Sequence, residues 1–186
     1  MKKTFLIVLA AAFLCGVFWR ADANAAAAGA KPGLIVGGLH SFSADKSKLD
    51  TLYGGGITMP LDKNARLNLE GYIGKAKSVE GVPDGTLSKT QDRLYMATVD
   101  YVLSSSGGSY LFMGGGFGYE KLKYEYQYGS GGSIIREKRS IDGSSIVTDA
   151  GFMLKMSKGM SLMARYLMFV GGKNLKSAGT LSLVFE

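Results

Sequence analysis

Few residues in this chain have the means to do chemistry. His40 is the single histidine, and so the one conventional general base, in the string His40-Ser41-Phe42-Ser43. Activating a serine needs the base within hydrogen-bonding reach and a third group to orient the ring. Phe42 occupies the place where a His-x-Ser pair would put the nucleophile. The single cysteine, Cys15, lies in an N-terminal apolar run. Residues 110–132 read YLFMGGGFGYEKLKYEYQYGSGG, and a glycine cluster of this kind raises the question of phosphate binding. A phosphate loop needs Gly, four residues, then Gly-Lys-Ser/Thr, and Gly114-Gly115-Gly116-Phe117-Gly118 is followed by none of these. A dinucleotide site needs a helix after its glycines, whereas Leu122, Tyr124 and Tyr126 continue as an alternating strand. The sequence therefore nominates no catalytic, cofactor-binding or metal-ligating residue.

Charged side chains form two more promising sets. Arg66, Glu70, Asp100, Asp149, Lys155 and Arg165 fall on the polar faces of alternating segments. If those faces converge inside one molecule, the charges must pair, because unpaired charge away from water is costly. Such a set is either a salt-bridged plug that fixes the fold or an ion pathway. The second set is Lys121, Lys123, Tyr124, Tyr126, Tyr128, Arg136, Lys138 and Arg139, flanking the Gly129–Gly132 tract. It reads as a hairpin with exposed aromatic residues, suited to lipopolysaccharide or an extracellular partner. A merely solvated basic rim is the alternative.

The elements that must carry these residues are strands. Lys2 and Lys3 precede an apolar stretch from Phe5 to Val17, and Ala21-Asp22-Ala23 offers a small-x-small cleavage site. That is the layout of a signal peptide over 1–23, with cleavage as late as 25. An Ala-rich linker over 24–30 and one domain over 31–186 follow. Without residues 1–23 the chain keeps 19 basic and 14 acidic residues, a net charge of +5, and has neither Cys nor Trp. An anionic lipid, polysaccharide or nucleic acid would suit that balance.

Period-2 alternation bounded by turn residues marks eight strands, near 33–42, 51–59, 65–75, 92–103, 109–126, 144–156, 161–170 and 177–185. Leu67, Leu69 and Ile73 alternate with Arg66, Asn68, Glu70 and Tyr72; Tyr95, Val99 and Tyr101 alternate with Met96, Thr98 and Asp100. The fifth segment is apolar on both faces, which predicts a bulge near Tyr119-Glu120. The gaps alternate in length: 60–64, 104–108 and 157–160 are tight, while 43–50, 76–91, 127–143 and 171–176 are longer and more charged. An up-and-down sheet with short turns at one end and long loops at the other is expected of a barrel crossing the bacterial outer membrane. Its apolar faces would meet lipid and its polar faces the lumen. Glycines at mid-strand are then packing devices that leave room for large neighbours in a narrow bore. Tyr53, Tyr72, Tyr95, Tyr101, Tyr110, Tyr119 and Tyr166 suggest interface girdles, with Tyr72 the exception that alternation turns inward.

On this pattern the chain resembles the small eight-stranded outer-membrane barrels of the OmpA/OmpX type. The resemblance implies an all-β, antiparallel, up-and-down transmembrane barrel in a Gram-negative outer membrane, monomeric, with both termini periplasmic. It departs at the end of the chain, where Phe185 stands one place before the last residue instead of closing the sequence. The resemblance also implies a protruding hairpin that meets external partners. Thirteen of the 19 cations fall in the long connections or on the strand ends that flank them, at the level of lipopolysaccharide phosphates. The function expected is a non-enzymatic envelope protein acting through its surface, without nucleic acid and without a cofactor. A narrow pore, a lipid A-modifying enzyme using His40, and a soluble periplasmic carrier are the alternatives.

Overall fold

The computed structural model describes residues 31–83, 86–106, 108–130 and 133–186. The expected signal peptide and linker, and Gly131 and Gly132 of the expected hairpin, lie outside the described residues. The strands are β1 (Gly33–Ala44), β2 (Ser47–Leu49), β3 (Leu52–Pro60), β4 (Ala65–Gly74), β5 (Ala76–Val79), β6 (Leu87–Ser106), β7 (Ser109–Ser130), β8 (Ser133–Ser157), β9 (Met160–Val170) and β10 (Leu175–Phe185). Eight of them close a barrel in the order β1-β10-β9-β8-β7-β6-β4-β3, and β2 and β5 form a separate two-stranded sheet. All neighbours in the ring are antiparallel, and the β1–β3 and β1–β10 pairings complete it, so no edge is left open within the ring.

One end of the barrel carries short turns. Gly108 and Gly159 sit in them with φ of 82° and 79°, the left-handed conformation that glycine takes without steric cost. The other end is built quite differently. The 127–143 connection is mostly strand, with β7 and β8 paired from Tyr110↔Met153 as far as Ser130↔Ser133. β6 accompanies them up to Leu87↔Tyr126, whereas β9 leaves β8 at Ile146↔Val170. A three-stranded sheet therefore projects beyond the ring. The segments expected as plain loops near 43–50 and 76–91 contain β2 and β5, and β6 begins earlier than the sequence suggested.

The alternation divides the residues as the pattern required. Leu34, Ile57, Ile73, Tyr95, Tyr101 and Phe152 are exposed on the outside, while Glu70, Thr98, Asp100, Asp149 and Arg165 are buried inside. Leu67, on the outward side, is nevertheless buried, because it packs with Ala65, Val99, Met59 and Leu61. Tyr72 faces inward, and so does Tyr110, which packs against the interior instead of joining a girdle.

The interior differs from the expectation of a uniformly polar lumen. Ile35, Phe112, Met153, Met163 and Val184 form one buried apolar layer near the short turns. Leu39, Leu52, Leu94, Met96, Leu122, Val147 and Leu167 belong to another toward the long loops. The charged residues lie between them: β9 presents Met163, Arg165 and Leu167 inward in succession, and β8 presents Met153, Asp149 and Val147. This also removes the bulge expected near Tyr119-Glu120. The β7–β8 register runs unbroken through those residues, and the shifts against β6 lie between Leu87/Lys89 and between Val102/Ser104. β7 is apolar on both faces because its inner face packs into those layers.

Candidate functional site

A buried ionic layer crosses the middle of the barrel. Arg165 Nη2 donates to both carboxylate oxygens of Glu70, at 2.6 and 2.5 Å, with both side chains fully buried. Its Nε donates to Thr180 Oγ1 at 3.3 Å, and Nη1 lies 3.6 Å from Asp149. Tyr72 Oη donates to Glu70 at 2.6 Å, and Asn68 Nδ2 donates to Asp100 at 2.7 Å. Asp100, Gly114 and Asp149 stand side by side on β6, β7 and β8. A Cβ on Gly114 would lie 2.6 Å from Asp100 and 2.5 Å from Asp149, so the glycine leaves the space that both carboxylates occupy. The glycine cluster of the sequence is thus a packing feature: Gly116 brings its backbone against the carbonyl of Ala97, and Gly151 clears room for Arg165 and Phe112.

Two of the six residues assigned to this layer stand apart from it. Lys155 is on the inward side of β8, but it is exposed at the barrel mouth beside the β6–β7 turn, where its stem lies against Gly108. Arg66 is also at that mouth, bound to Glu186 at 2.8 Å and placed over the Tyr110 ring at 5.4 Å. In each case the strand ends before the side chain reaches the middle layer.

At the opposite end a second polar cluster caps the barrel. Glu120 accepts from Asn174 Nδ2 at 2.6 Å and from the Leu175 amide at 3.0 Å. Asn174 Oδ1 in turn accepts from the Lys46 amide and Ser47 Oγ, both at 3.1 Å. The long connections are thereby tied to the top of the barrel interior. Sequence reasoning missed Glu120 and Asn174, since neither lies in a recognisable pattern and they meet only where the β9–β10 connection reaches across the barrel interior to β7.

The projecting sheet has two unlike faces. Its inner face carries Tyr124, Tyr126 and Tyr128, stacked at centroid separations of 6.3 and 6.0 Å. Glu137 accepts from Tyr126 Oη at 2.6 Å and Tyr128 Oη at 3.0 Å, and from Arg139 Nη2 at 2.8 Å. These donors, the Tyr126 hydroxyl foremost, hold the Glu137 carboxyl below its ordinary value of 4.5. Arg139 also lies over Tyr126 at 5.5 Å. Tyr126 is buried. The exposed aromatic patch expected of the hairpin is therefore absent among the described residues; the tyrosines are spent on one another and on Glu137, and they brace the hairpin from within.

The outer face is basic. Strand pairing aligns Arg93, Lys121 and Asp142 in one row, Gln91, Lys123 and Ser140 in the next, and Lys89, Glu125 and Lys138 in a third. Directly below is the row Tyr95, Tyr119 and Ser144, in which both tyrosines are exposed. Adjacent strands are about 4.8 Å apart and successive rows about 6.7 Å along the strand. Arg136 is exposed one row farther out. Lys75 and Lys77 of the neighbouring connection join Lys89, Lys123 and Lys138 around a cleft of about 880 Å³. Lys138 lies 3.9 Å from Glu125, and Lys77 lies 3.5 Å from Asp50. Of the residues expected to make surface contacts, Lys121, Lys123, Arg136 and Lys138 are on this face, while Tyr124, Tyr126, Tyr128 and Arg139 point the other way. Lys89 and Arg93 belong with the first group. Both are among the thirteen cations expected in or beside the long connections, and continuing the period-2 pattern of β6 backward through Gln91 puts Lys89 on the same face as Arg93.

His40 lies outside both sites, with its Nδ1 3.4 Å from Thr51 Oγ1 and its ring edge-on to Phe42.

These features define a class: an all-β, eight-stranded antiparallel barrel with an apolar outer band, the fold of the small outer-membrane barrels of OmpA/OmpX type. The outer-membrane protein OprG of Pseudomonas aeruginosa matches with a TM-score of 0.58 at 12% identity, over 84% of this chain and 95% of that one. The N-terminal barrel domain of OprF from the same organism matches with a TM-score of 0.53 at 15% identity, over 83% and 95%. The attachment invasion locus protein Ail of Yersinia pestis, in complex with the heparin analogue sucrose octasulfate, matches with a TM-score of 0.52 at 14% identity, over 83% and 96%. At such identities the likeness is one of fold. No family profile matches the chain, and no curated protein matches its sequence.

Proposed function

We propose that this protein is a non-enzymatic component of the Gram-negative outer membrane, with both termini periplasmic and its long-loop end outside. There it would bind lipopolysaccharide or an extracellular polysaccharide or protein. The observation that carries the reading is the contrast between the two ends around a filled interior. Apolar layers lie on both sides of the ionic layer, which favours a wall-like barrel over a narrow pore. The cations and the projecting sheet are concentrated at one end, where an anionic envelope surface would meet them. Ail, a neighbour in fold, binds a sulfated sugar in its crystal structure, which supports an anionic glycan or glycolipid as the kind of ligand.

The His40 environment favours a structural role over lipid A chemistry, because its hydrogen-bond partner is a threonine and its ring packs against Phe42, at the place a serine nucleophile would need. The test uses single cysteines in the chain that follows residue 23, which has none of its own. A membrane-impermeant maleimide added to intact cells should label Gly129→Cys, at the projecting tip, and spare Lys158→Cys, in a short turn. Labelling of Lys158→Cys alone would reverse the orientation. A steady single-channel conductance from the purified protein in planar bilayers would replace this reading with the pore.

A further inference from the structure

We propose that the outer face of the projecting sheet is a site for one molecule of phosphorylated outer-leaflet glycolipid, gripped through its phosphate groups by Lys89, Arg93, Lys121, Lys123 and Lys138. This rests on the surface-binding reading above and narrows it to one face and one ligand chemistry. Three observations carry it. The cations form rows fixed by strand register, so their spacing is set by backbone and not by mobile loops. Within the grid, Lys138 lies near Glu125, while Lys89, Lys121 and Lys123 form no ion pair among the described residues. The inner face, by contrast, has already committed Arg139 to Glu137.

The third observation is position. The lowest cation row sits immediately above exposed Tyr95 and Tyr119, and below these the same face continues as Phe117 and Ile146, both exposed. In a strand tilted by about 40° each row rises roughly 5 Å, so the cations span about 5–15 Å above the aromatic residues. A ligand with phosphates at that height and hydrocarbon beneath it meets cations and apolar side chains together. A soluble sulfated glycan would use only the upper half. Each phosphate monoester carries about −1.5 to −2 charges at neutral pH and makes charge-assisted hydrogen bonds to several ammonium groups at once. The lysines would thus take the part that divalent cations play between neighbouring phosphorylated lipids, and the bound molecule should be held without magnesium or calcium.

Purified full-length protein in detergent, with excess EDTA, is mixed with bisphosphorylated lipid A or its dephosphorylated form and examined by native mass spectrometry. The expected result is one bisphosphorylated lipid retained, with retention of the dephosphorylated form at least tenfold lower. The variant Lys89→Glu/Lys123→Glu/Lys138→Glu should lose this preference, and the corresponding arginine variant should keep it. A control variant, Lys46→Glu/Lys48→Glu/Lys173→Glu, should bind as the parent does. All variants are first confirmed as folded by heat-modifiable migration. Equal loss in the control would show a diffuse basic rim, overturning this site while sparing the surface-binding reading. Equal retention of both lipids, or preference for sucrose octasulfate over bisphosphorylated lipid A, would overturn the phosphate-gripping site. Failure to bind any of these ligands would overturn this site and leave the surface-binding reading with a protein partner alone.

Discussion

The buried ionic layer and the basic outer face are made by the same device, period-2 alternation along the barrel strands, yet they use charge in opposite ways. Inside, Arg165 is matched to Glu70 and Asp149 with no exposed side-chain surface, and apolar layers close it off on either side. Outside, Lys89 and Lys123 are exposed on a sheet face and form no ion pair among the described residues. A charge that has lost water and found a partner governs stability. A charge that keeps its water and lacks a partner is available to a ligand. The strand register decides which of these a residue becomes, and the residue type alone does not: Arg139 and Lys138 are adjacent in sequence, but Arg139 is bonded to Glu137 over the Tyr126 ring while Lys138 shares the outer row of Lys89 and Glu125.

The largest effect should come from the interior. Arg165→Met leaves Glu70 and Asp149 without their cation, and removal of one partner from a buried pair costs about 3–5 kcal/mol. Urea unfolding in lipid vesicles should show a loss of that size, and Glu70→Gln/Arg165→Met should recover part of it, since the two residues are coupled. A loss below 1 kcal/mol for Arg165→Met would mean the layer is hydrated. Next comes Gly114→Val, which drives methyl groups between Asp100 and Asp149. Overpacking of this kind costs about 1–3 kcal/mol, read by the same unfolding curves. Smaller still, Lys89→Glu/Lys123→Glu should change stability by no more than about 0.5 kcal/mol while weakening binding to anionic vesicles, and raising salt should weaken the parent's binding too. An equal stability loss at both sites would erase the distinction between them.

The smallest predicted effect concerns the hairpin brace. Glu137 is held below its ordinary value of 4.5 by the Tyr126 and Tyr128 hydroxyls and by Arg139. A carboxyl lowered in the folded state contributes order that is complete above its unfolded value and lost as pH falls through the folded one. Amide hydrogen exchange over residues 124–128 should therefore stay slow from neutral pH down to about 4.5 and quicken below it, after correction for intrinsic exchange. Glu137→Gln should show the quickened exchange at neutral pH.

Much of this architecture was legible in the sequence. The strands show because Leu67, Leu69 and Ile73 alternate cleanly with Asn68, Glu70 and Tyr72, and the two kinds of barrel end show in the lengths of the gaps. Alternation cannot tell lipid from a packed interior, however, because both reward apolar side chains. Phe112 and Leu122 therefore suggested a bulge, when they are interior packing on an uninterrupted strand. Nor does it say where along the axis a side chain ends up, so the pattern groups Lys155 with Asp149 although it lies at the mouth. The hairpin's division into tyrosine and lysine faces was present in the odd and even positions of Lys121 to Tyr128. It became visible only once β6 and β8 were placed alongside.

The measurement that tests the assignment of faces most directly is quenching by brominated lipid of a single tryptophan introduced into the chain after residue 23, which has none. One tryptophan replaces Phe152, which is 40% exposed on the outer face, and another replaces Phe112, which is 2% exposed in the interior. In reconstituted vesicles the probe at 152 should be strongly quenched and the probe at 112 nearly untouched. Equal quenching, or the reverse order, would contradict the inside and outside on which both charge sites depend.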